Sequence, residues 1–278
     1  MTAHGKPIVV GVSPTDSAND VVAWGAREAL LRGRPLRLVH AHVSAQGSTA
    51  APAAARLAYR DAAEWMLTQR AYAARLLPDG DVEATVLDGN WVEVLLQQAS
   101  GAEMLVVGSG DEWRTDGLAT ARGVQLVAHA EIPAIVVRGG GRPGAAATGR
   151  IVVGCEEGGR PDLLLAAAYD EADRRGGVLL VVRSPTSAPA PREATSAPAP
   201  READLLGAWR AKYPHVPAEL TISSESPAAA LVEASRAADL VVVGSRGSGG
   251  FPGLRLGSVT DAVLRYAACP VLVVPVEV

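Results

Sequence analysis

Ile8-Val9-Val10-Gly11 is repeated as Ile151-Val152-Val153-Gly154. Leu105-Val106-Val107-Gly108-Ser109 returns as Val241-Val242-Val243-Gly244-Ser245. Ile132-Pro133-Ala134-Ile135-Val136-Val137 returns as Cys269-Pro270-Val271-Leu272-Val273-Val274. Three matches in one order, at offsets of 143, 136 and 137 residues, make the chain a tandem of two copies of one unit. Each match is a short, solidly apolar run rich in branched residues, the pattern of a strand buried on both faces.

Working outward, strands read in the first copy at Ile8–Val12, Leu36–Val43, Val82–Leu87, Met104–Gly108 and Ala134–Arg138. Helices read between them at Asn19–Arg32, Pro52–Leu77, Trp91–Ser100 and Ala119–Ala130. In the longest, Leu57, Ala58, Asp61, Ala62, Trp65 and Met66 are spaced as a mostly apolar helical face. The second copy repeats the alternation, with strands at Ile151–Cys155, Val178–Val182, Glu219–Ile222, Leu240–Gly244 and Val271–Val274. Its helices read at Asp162–Arg175, Glu202–Tyr213, Pro227–Ala237 and Ser258–Ala267. Strand–helix alternation with solid apolar strands predicts an α/β fold, a parallel sheet covered by helices on both faces. Right-handed crossovers then bring every strand's C-terminal end to one edge, where ligands bind. Arg138 to Gly149 (RGGGRPGAAATG) reads as the linker, so the domains are expected at 1–139 and 150–278.

Composition narrows the function. The chain has 278 residues, 48% hydrophobic and 20% charged, the mix of a well-cored globular protein. Aromatics are 4%, so the core is expected to be Val, Leu, Ile and Ala. The net charge of −4 is spread so that neither half is basic, which disfavours a nucleic-acid binder. Two cysteines make no disulfide scaffold. No signal-peptide core and no apolar run near the roughly 20 residues of a membrane span are present, which predicts a cytoplasmic protein without membrane partners.

The segment Gly244-Ser-Arg-Gly247, nine further residues, then Gly257-Ser258, carries the chemistry. It starts where a valine strand ends and closes where a helix begins. Glycines let backbone N–H groups converge on one point and let a bulky ligand come close. Ser258 is expected to cap the helix, whose first-turn N–H groups attract phosphate. Arg246 and Arg255 add positive charge. An anionic group, most naturally the phosphates of a nucleotide, suits this loop. A Gly-rich connection that binds nothing is the alternative. The segment is neither a Walker A motif nor a GxGxxG fingerprint.

On these residues the chain resembles the universal stress proteins, whose ATP-binding signature is G-x2-G-x9-G-S/T after the fourth strand; Gly244, Gly247, Gly257 and Ser258 match it without gaps. The resemblance covers nearly the whole chain as two tandem copies. It implies a five-stranded Rossmann-like sheet of order 3-2-1-4-5 in each copy. It also implies ATP, alone or with Mg²⁺, with adenine between the ends of the first two strands and ribose and phosphates on the glycine loop. Carried over by position, the contacts implied are Glu156, Val182, Val243, Gly244, Gly247, Gly257, Ser258 and Val259. Glu156 stands where the family has Asp, and Glu157-Gly158 follow where Gly-Ser is usual.

The first copy departs from the signature. Asp111 occupies the place of the second Gly, Glu112 and Trp113 follow it, and Thr120-Ala121 replace Gly-Ser; Ser13 stands where the family has Asp. Carboxylates there repel phosphate. The first copy is therefore expected to be architectural, packing on the second as a pseudo-dimer within the chain, with a homodimer of chains open beyond it.

Other signals are weaker. His40 and His42 share a strand face but lack a third ligand, so ordinary packing is expected and no metal. In the implied strand order Cys155 and Cys269 lie two spacings apart, about 10 Å, too far for a disulfide. The nonapeptide Thr186–Ala194 (TSAPAPREA) is repeated as Thr195–Ala203, a lengthened surface loop or a partner-docking lid. No nucleophile-elbow or His-Glu-x-x-His motif appears, so no enzyme is expected. The expectation is a regulatory, stress-response binding module that takes ATP in its second domain and offers a changed surface to a protein partner. Two readings compete with it: a nucleotide-free interaction protein with a vestigial loop, and a slow ATPase using Glu156 or Glu157 with a metal.

Overall fold

The computed structural model describes residues 5–42, 52–109, 122–138, 148–155, 161–184, 202–247 and 256–276. The chain divides into two compact units, Met1–Ala145 and Ala146–Val278.

In the first unit β1 (Ile8–Gly11), α1 (Ala18–Arg32), β2 (Leu36–His42), α2 (Pro52–Leu76), β3 (Val82–Asp88), α3 (Trp91–Ala99), β4 (Met104–Gly108), α4 (Arg122–His129) and β5 (Ala134–Val137) follow in order. The strands are all parallel, in the order β3-β2-β1-β4-β5. The second unit has β6 (Arg150–Cys155), α5 (Pro161–Arg175), β7 (Val178–Arg183), α6 (Glu202–Lys212), β8 (Ala218–Ile222), α7 (Pro227–Ala234), β9 (Leu240–Gly244), α8 (Ser258–Tyr266) and β10 (Val271–Val274). Its order is β8-β7-β6-β9-β10, again all parallel. Each unit is thus the expected 3-2-1-4-5 sheet.

The apolar runs of the central strands are fully buried: Ile8, Val9, Val10, Ile151, Val152 and Val153 have no exposed surface. Side chains alternate between two helical layers. Gly25 of α1 lies against Val10 and Leu36, while Leu95 of α3 fills the space beside Gly11. In the second unit Leu231 of α7 fills the space beside Gly154. Helices α7 and α8 pack side by side on that face.

The repeat extends into details too small for a sequence pattern. Helices α1 and α5 end at Gly33 (φ 61°) and Gly176 (φ 60°), left-handed positions where only glycine sits without strain. Beyond each cap the chain closes back, Arg34 N–H on Ala29 O at 2.9 Å and Gly177 N–H on Ala172 O at 2.8 Å. One turn earlier each helix buries an i,i+4 ion pair, Glu28–Arg32 and Glu171–Arg175. Both pairs are separated by the same 143 residues as β1 and β6.

Two expectations need correction. The apolar face read at the start of α2 is not buried there: Leu57 is 55% exposed, and Ala58 and Asp61 are exposed too. The buried stripe begins later, at Met66, Gln69, Ala73 and Leu77. Helical spacing sets which side chains share a face, and the described part of α2 buries that face only from Met66 onward. Nor is the core purely aliphatic. Tyr169 of α5 is completely buried and stacks on Trp209 (5.8 Å between centroids) and on Tyr213 (5.3 Å). Lys212 lies 5.0 Å over the Tyr213 ring. Helix α6, which carries Trp209, has 11 residues against the 25 of α2.

Candidate functional site

The C-terminal end of β9 is built as a closed corner. Ser245, the first residue past the strand, is held three ways: its N–H donates to Val274 O (2.8 Å), its Oγ accepts from Val276 N–H (3.0 Å), and its carbonyl accepts from Gly257 N–H (2.8 Å). The last bond ties the two ends of the glycine segment together. Thr260, in the first turn of α8, donates its buried hydroxyl to Gly244 O at 2.6 Å. The helix N-terminus is therefore anchored at the sheet edge.

Each signature glycine has its own reason. A Cβ on Gly244 would stand 2.9 Å from Val276 Cγ2 and 3.0 Å from Arg246 O, tighter than packing allows. Gly257 lies over the Arg246–Gly247 peptide; a Cβ there would meet Arg246 Cα and Gly247 N at 3.5 Å, ordinary contact. Gly257 therefore keeps bulk away from the mouth of the helix, and the fold itself does not demand it. Gly257, not Ser258, is the N-cap of α8 (φ −72°, ψ 151°), and no side chain among the described residues caps the helix. This corrects the capping role expected of Ser258, which is the exposed first helical residue. The first-turn N–H groups of α8 lack intrahelical acceptors and carry the positive end of the helix dipole. Asp261, the acidic residue of that turn, is engaged by Arg265 at 2.8 and 3.1 Å.

Of the residues carried over from the signature, Val243, Gly244, Gly247, Gly257, Ser258 and Val259 meet at this corner. Val243 is buried beneath it, and Gly247 is exposed at its surface. Val182 is two strands away and inside the sheet, 5% exposed and paired with Gly154 on one side and Thr221 on the other. Glu156 and Glu157, like Arg255, lie outside the described residues. Ser245 and Thr260 were not singled out from sequence. The Gly-Ser pair that ends both β4 and β9 was the available signal, and Ser109 N–H makes the equivalent bond to Val137 O at 2.8 Å.

In the first unit, Asp111, Glu112, Trp113, Thr120 and Ala121 lie outside the described residues, as do residues 185–201, most of the duplicated nonapeptide. His40 and His42 each pack edge-on against an aromatic ring of α2, Trp65 at 5.4 Å and Tyr59 at 6.0 Å, and His40 Nδ1 is 2.8 Å from Val12 O. Among the described residues no cluster of three or more His, Cys, Asp or Glu side chains could hold a metal ion. No described helix is long and apolar enough to cross a membrane.

Both cysteines are buried and neither is in a disulfide, Cys155 at the C-terminal end of β6 and Cys269 just before β10, at the opposite edge of the sheet. Burial pushes the Cys155 thiol up to about 12, against the opposing pull of Arg183. The native state thus holds this proton more tightly than the unfolded chain, whose thiol titrates at its ordinary 9.0. The stability this contributes is complete below pH 9.0 and is lost as pH rises through about 12. The expected result is that neither thiol reacts with a soluble aromatic disulfide at pH 8 until denaturant is added. Rapid release of one thiolate equivalent from the native protein would contradict the burial of both.

Comparison with known proteins agrees with this architecture. The family model described as universal stress protein family matches twice, at residues 5–138 and 148–275. A universal stress protein of Mycobacterium tuberculosis (strain H37Rv) is 31% identical over 296 residues, covering 97% of this chain and 96% of that protein. One of Mycolicibacterium smegmatis is 29% identical over 289 residues, covering 96% of both. The crystal structure of a universal stress protein from Archaeoglobus fulgidus superposes with a TM-score of 0.71 at 15% identity, covering 98% of this chain and 97% of that one.

Proposed function

The chain belongs to the universal stress protein family, and on that premise we propose that its second unit binds ATP and works as a nucleotide-responsive regulatory module. One observation carries the reading: Gly244, Gly247 and Gly257 converge at an α8 N-terminus that no side chain among the described residues caps. Phosphates belong over Gly257 and Ser258, where helix N–H groups and the dipole favour negative charge. Ribose follows along Gly244 and Gly247, and the base extends toward the ends of β6 and β7.

Catalysis is not part of the proposal, because the signature supplies small residues and backbone donors and no nucleophile or general base. Binding alone has consequences. Ligand at 100 times its Kd stabilises the bound unit by about 2.7 kcal/mol through mass action and fixes the loop that it touches. The first unit, which keeps Gly108 but lacks the second and third signature glycines, serves as scaffold. A nucleotide-free interaction protein is the competing reading.

Purified without added nucleotide, denatured and chromatographed, the protein is expected to release or to take up on titration close to one adenine nucleotide per chain, with or without Mg²⁺. Two per chain would give the first unit a working site. None, by either route, would favour the interaction protein.

A further inference from the structure

Three rings meet at one place in a chain that has five Trp, five Tyr and a single Phe. Tyr169 of α5 lies nearly parallel to Trp209 of α6, at 13° between planes, and to Tyr213, the residue after that helix, at 21°. Trp209 and Tyr213 are one helical turn apart, with centroids 6.3 Å from each other and planes at 20°. Each ring therefore pairs with both others.

Packing does not demand these rings. Arg70 donates to Val82 O at 2.9 Å and Arg210 to Ala218 O at 2.6 Å, each tying the second helix of its unit to the first residue of the edge strand. That match makes Gln69 and Ala73 the counterparts of Trp209 and Tyr213. The 143-residue offset between the two buried ion pairs makes Ala26 the counterpart of Tyr169. All three counterparts are buried, so the first unit builds the same helix pair without a ring there. Nor does packing favour a hydroxyl. Tyr169 has no exposed surface, and its Oη has no hydrogen-bond partner among the described residues, a state that costs free energy. Phenylalanine would fill the same space without that cost. What Tyr and Trp have, and Phe, Ala and Gln lack, is a side chain that gives up an electron readily.

The stack also has a proton acceptor. Tyr213 Oη donates to Asp170 Oδ1, and Asp170 is exposed to solvent. Burial first, and then that bond, pushes the Tyr213 hydroxyl up to about 12, so the ring keeps its proton while it keeps its electrons. A phenol that loses an electron becomes a strong acid, and the carboxylate is in place to take the proton. Lys212 Nζ stands 5.3 Å from the Trp209 centroid and 5.0 Å from that of Tyr213. Its charge disfavours a positive hole that stays on either ring, and leaves a neutral tyrosyl unopposed.

We propose that this stack is a one-electron sink: a diffusible radical oxidant takes an electron from the half-buried Trp209, and the hole settles on Tyr213 as its proton passes to Asp170. The oxidant gains one electron, the Tyr213 O–H bond breaks, and the proton leaves Asp170 for water. The products are a neutral tyrosyl radical, the reduced oxidant and one proton. Tyr169, nearer to each of the other rings than they are to one another, joins the two.

The test is pulse radiolysis of the full chain in azide solution. The azide radical is a one-electron oxidant that takes indole in preference to phenol and ends as azide. The optical signal of the indolyl radical should decay into that of the tyrosyl radical in a fast first-order phase whose rate does not change with protein concentration. The parent is compared with Tyr213→Phe, Asp170→Asn and, as a control in the first unit, Tyr72→Phe; melting temperatures check that all fold. The expected result is that Y213F loses the fast phase, D170N slows it at least about tenfold, and Y72F keeps it. A fast phase that survives in Y213F would overturn the assignment. So would one that D170N leaves unchanged, or transfer in the parent that speeds up with protein concentration.

Discussion

Gly257→Asp is expected to abolish ATP binding and to leave the protein folded. The substitution sets a carboxylate at the N-cap of α8, where phosphate is proposed to lie. Two unit charges about 5 Å apart at an effective dielectric of about 20 repel by about 3 kcal/mol, a loss of more than 100-fold in affinity. The fold should tolerate it. Gly257 has an ordinary negative φ of −72°, and a Cβ there meets its neighbours at no less than 3.5 Å. Aspartate is moreover a favoured N-cap residue, so α8 gains a cap as it loses a ligand. Titration calorimetry and a thermal melt check the two halves of this expectation. An unaltered ATP affinity would place the site elsewhere. Gly244→Asp is no substitute test, because its Cβ would crowd Val276 and Arg246 and damage the corner itself.

Glu171→Ala is expected to cost the second unit about 3–5 kcal/mol of stability. Its carboxylate and the Arg175 guanidinium are paired one turn before the Gly176 cap, with side chains 4% and 2% exposed. Removing the carboxylate leaves a guanidinium buried without it, and a charge out of water is far costlier to strand than an exposed one. Glu171→Gln, which keeps a hydrogen-bond acceptor of the same shape, should lose less. The exposed pair Arg60–Glu64, with side chains 67% and 64% exposed, is the control; Glu64→Ala should leave the unfolding midpoint where it was. Urea unfolding followed by circular dichroism, with amide exchange in α5 to locate the loss, measures all three. Equal midpoints for Glu171→Ala and Glu64→Ala would show that burial of the pair carries no stability.

Both substitutions sit at features that the sequence exposes to different degrees. The strands were legible because a central parallel strand is buried on both faces, so it must be apolar at every position: Ile151-Val152-Val153 and Val241-Val242-Val243 could not easily be anything else. The glycine segment was legible by its spacing after a valine strand, although only Gly244 is demanded by close packing and a Cβ on Gly257 would make ordinary contact. The role of Ser258 was misread, since a serine at the head of a helix fits the cap and the first helical turn equally well. Only the backbone conformation of Gly257 separates the two. The face read on α2 failed for a related reason: helical spacing says which side chains share a face, and not where along the helix that face is buried.

The amino-acid sequence by itself determined the tandem repeat, the α/β alternation and the glycine segment, because burial and steric exclusion act residue by residue and leave their mark in residue type. The three-way hold on Ser245, the bond from Thr260 to Gly244 O, and the stack of Tyr169 on Trp209 and Tyr213 were decided only by the tertiary structure. Hydrogen-bond satisfaction and ring packing depend on which distant residues meet, and a serine or a tyrosine carries the same letters whether its hydroxyl is paired or bare.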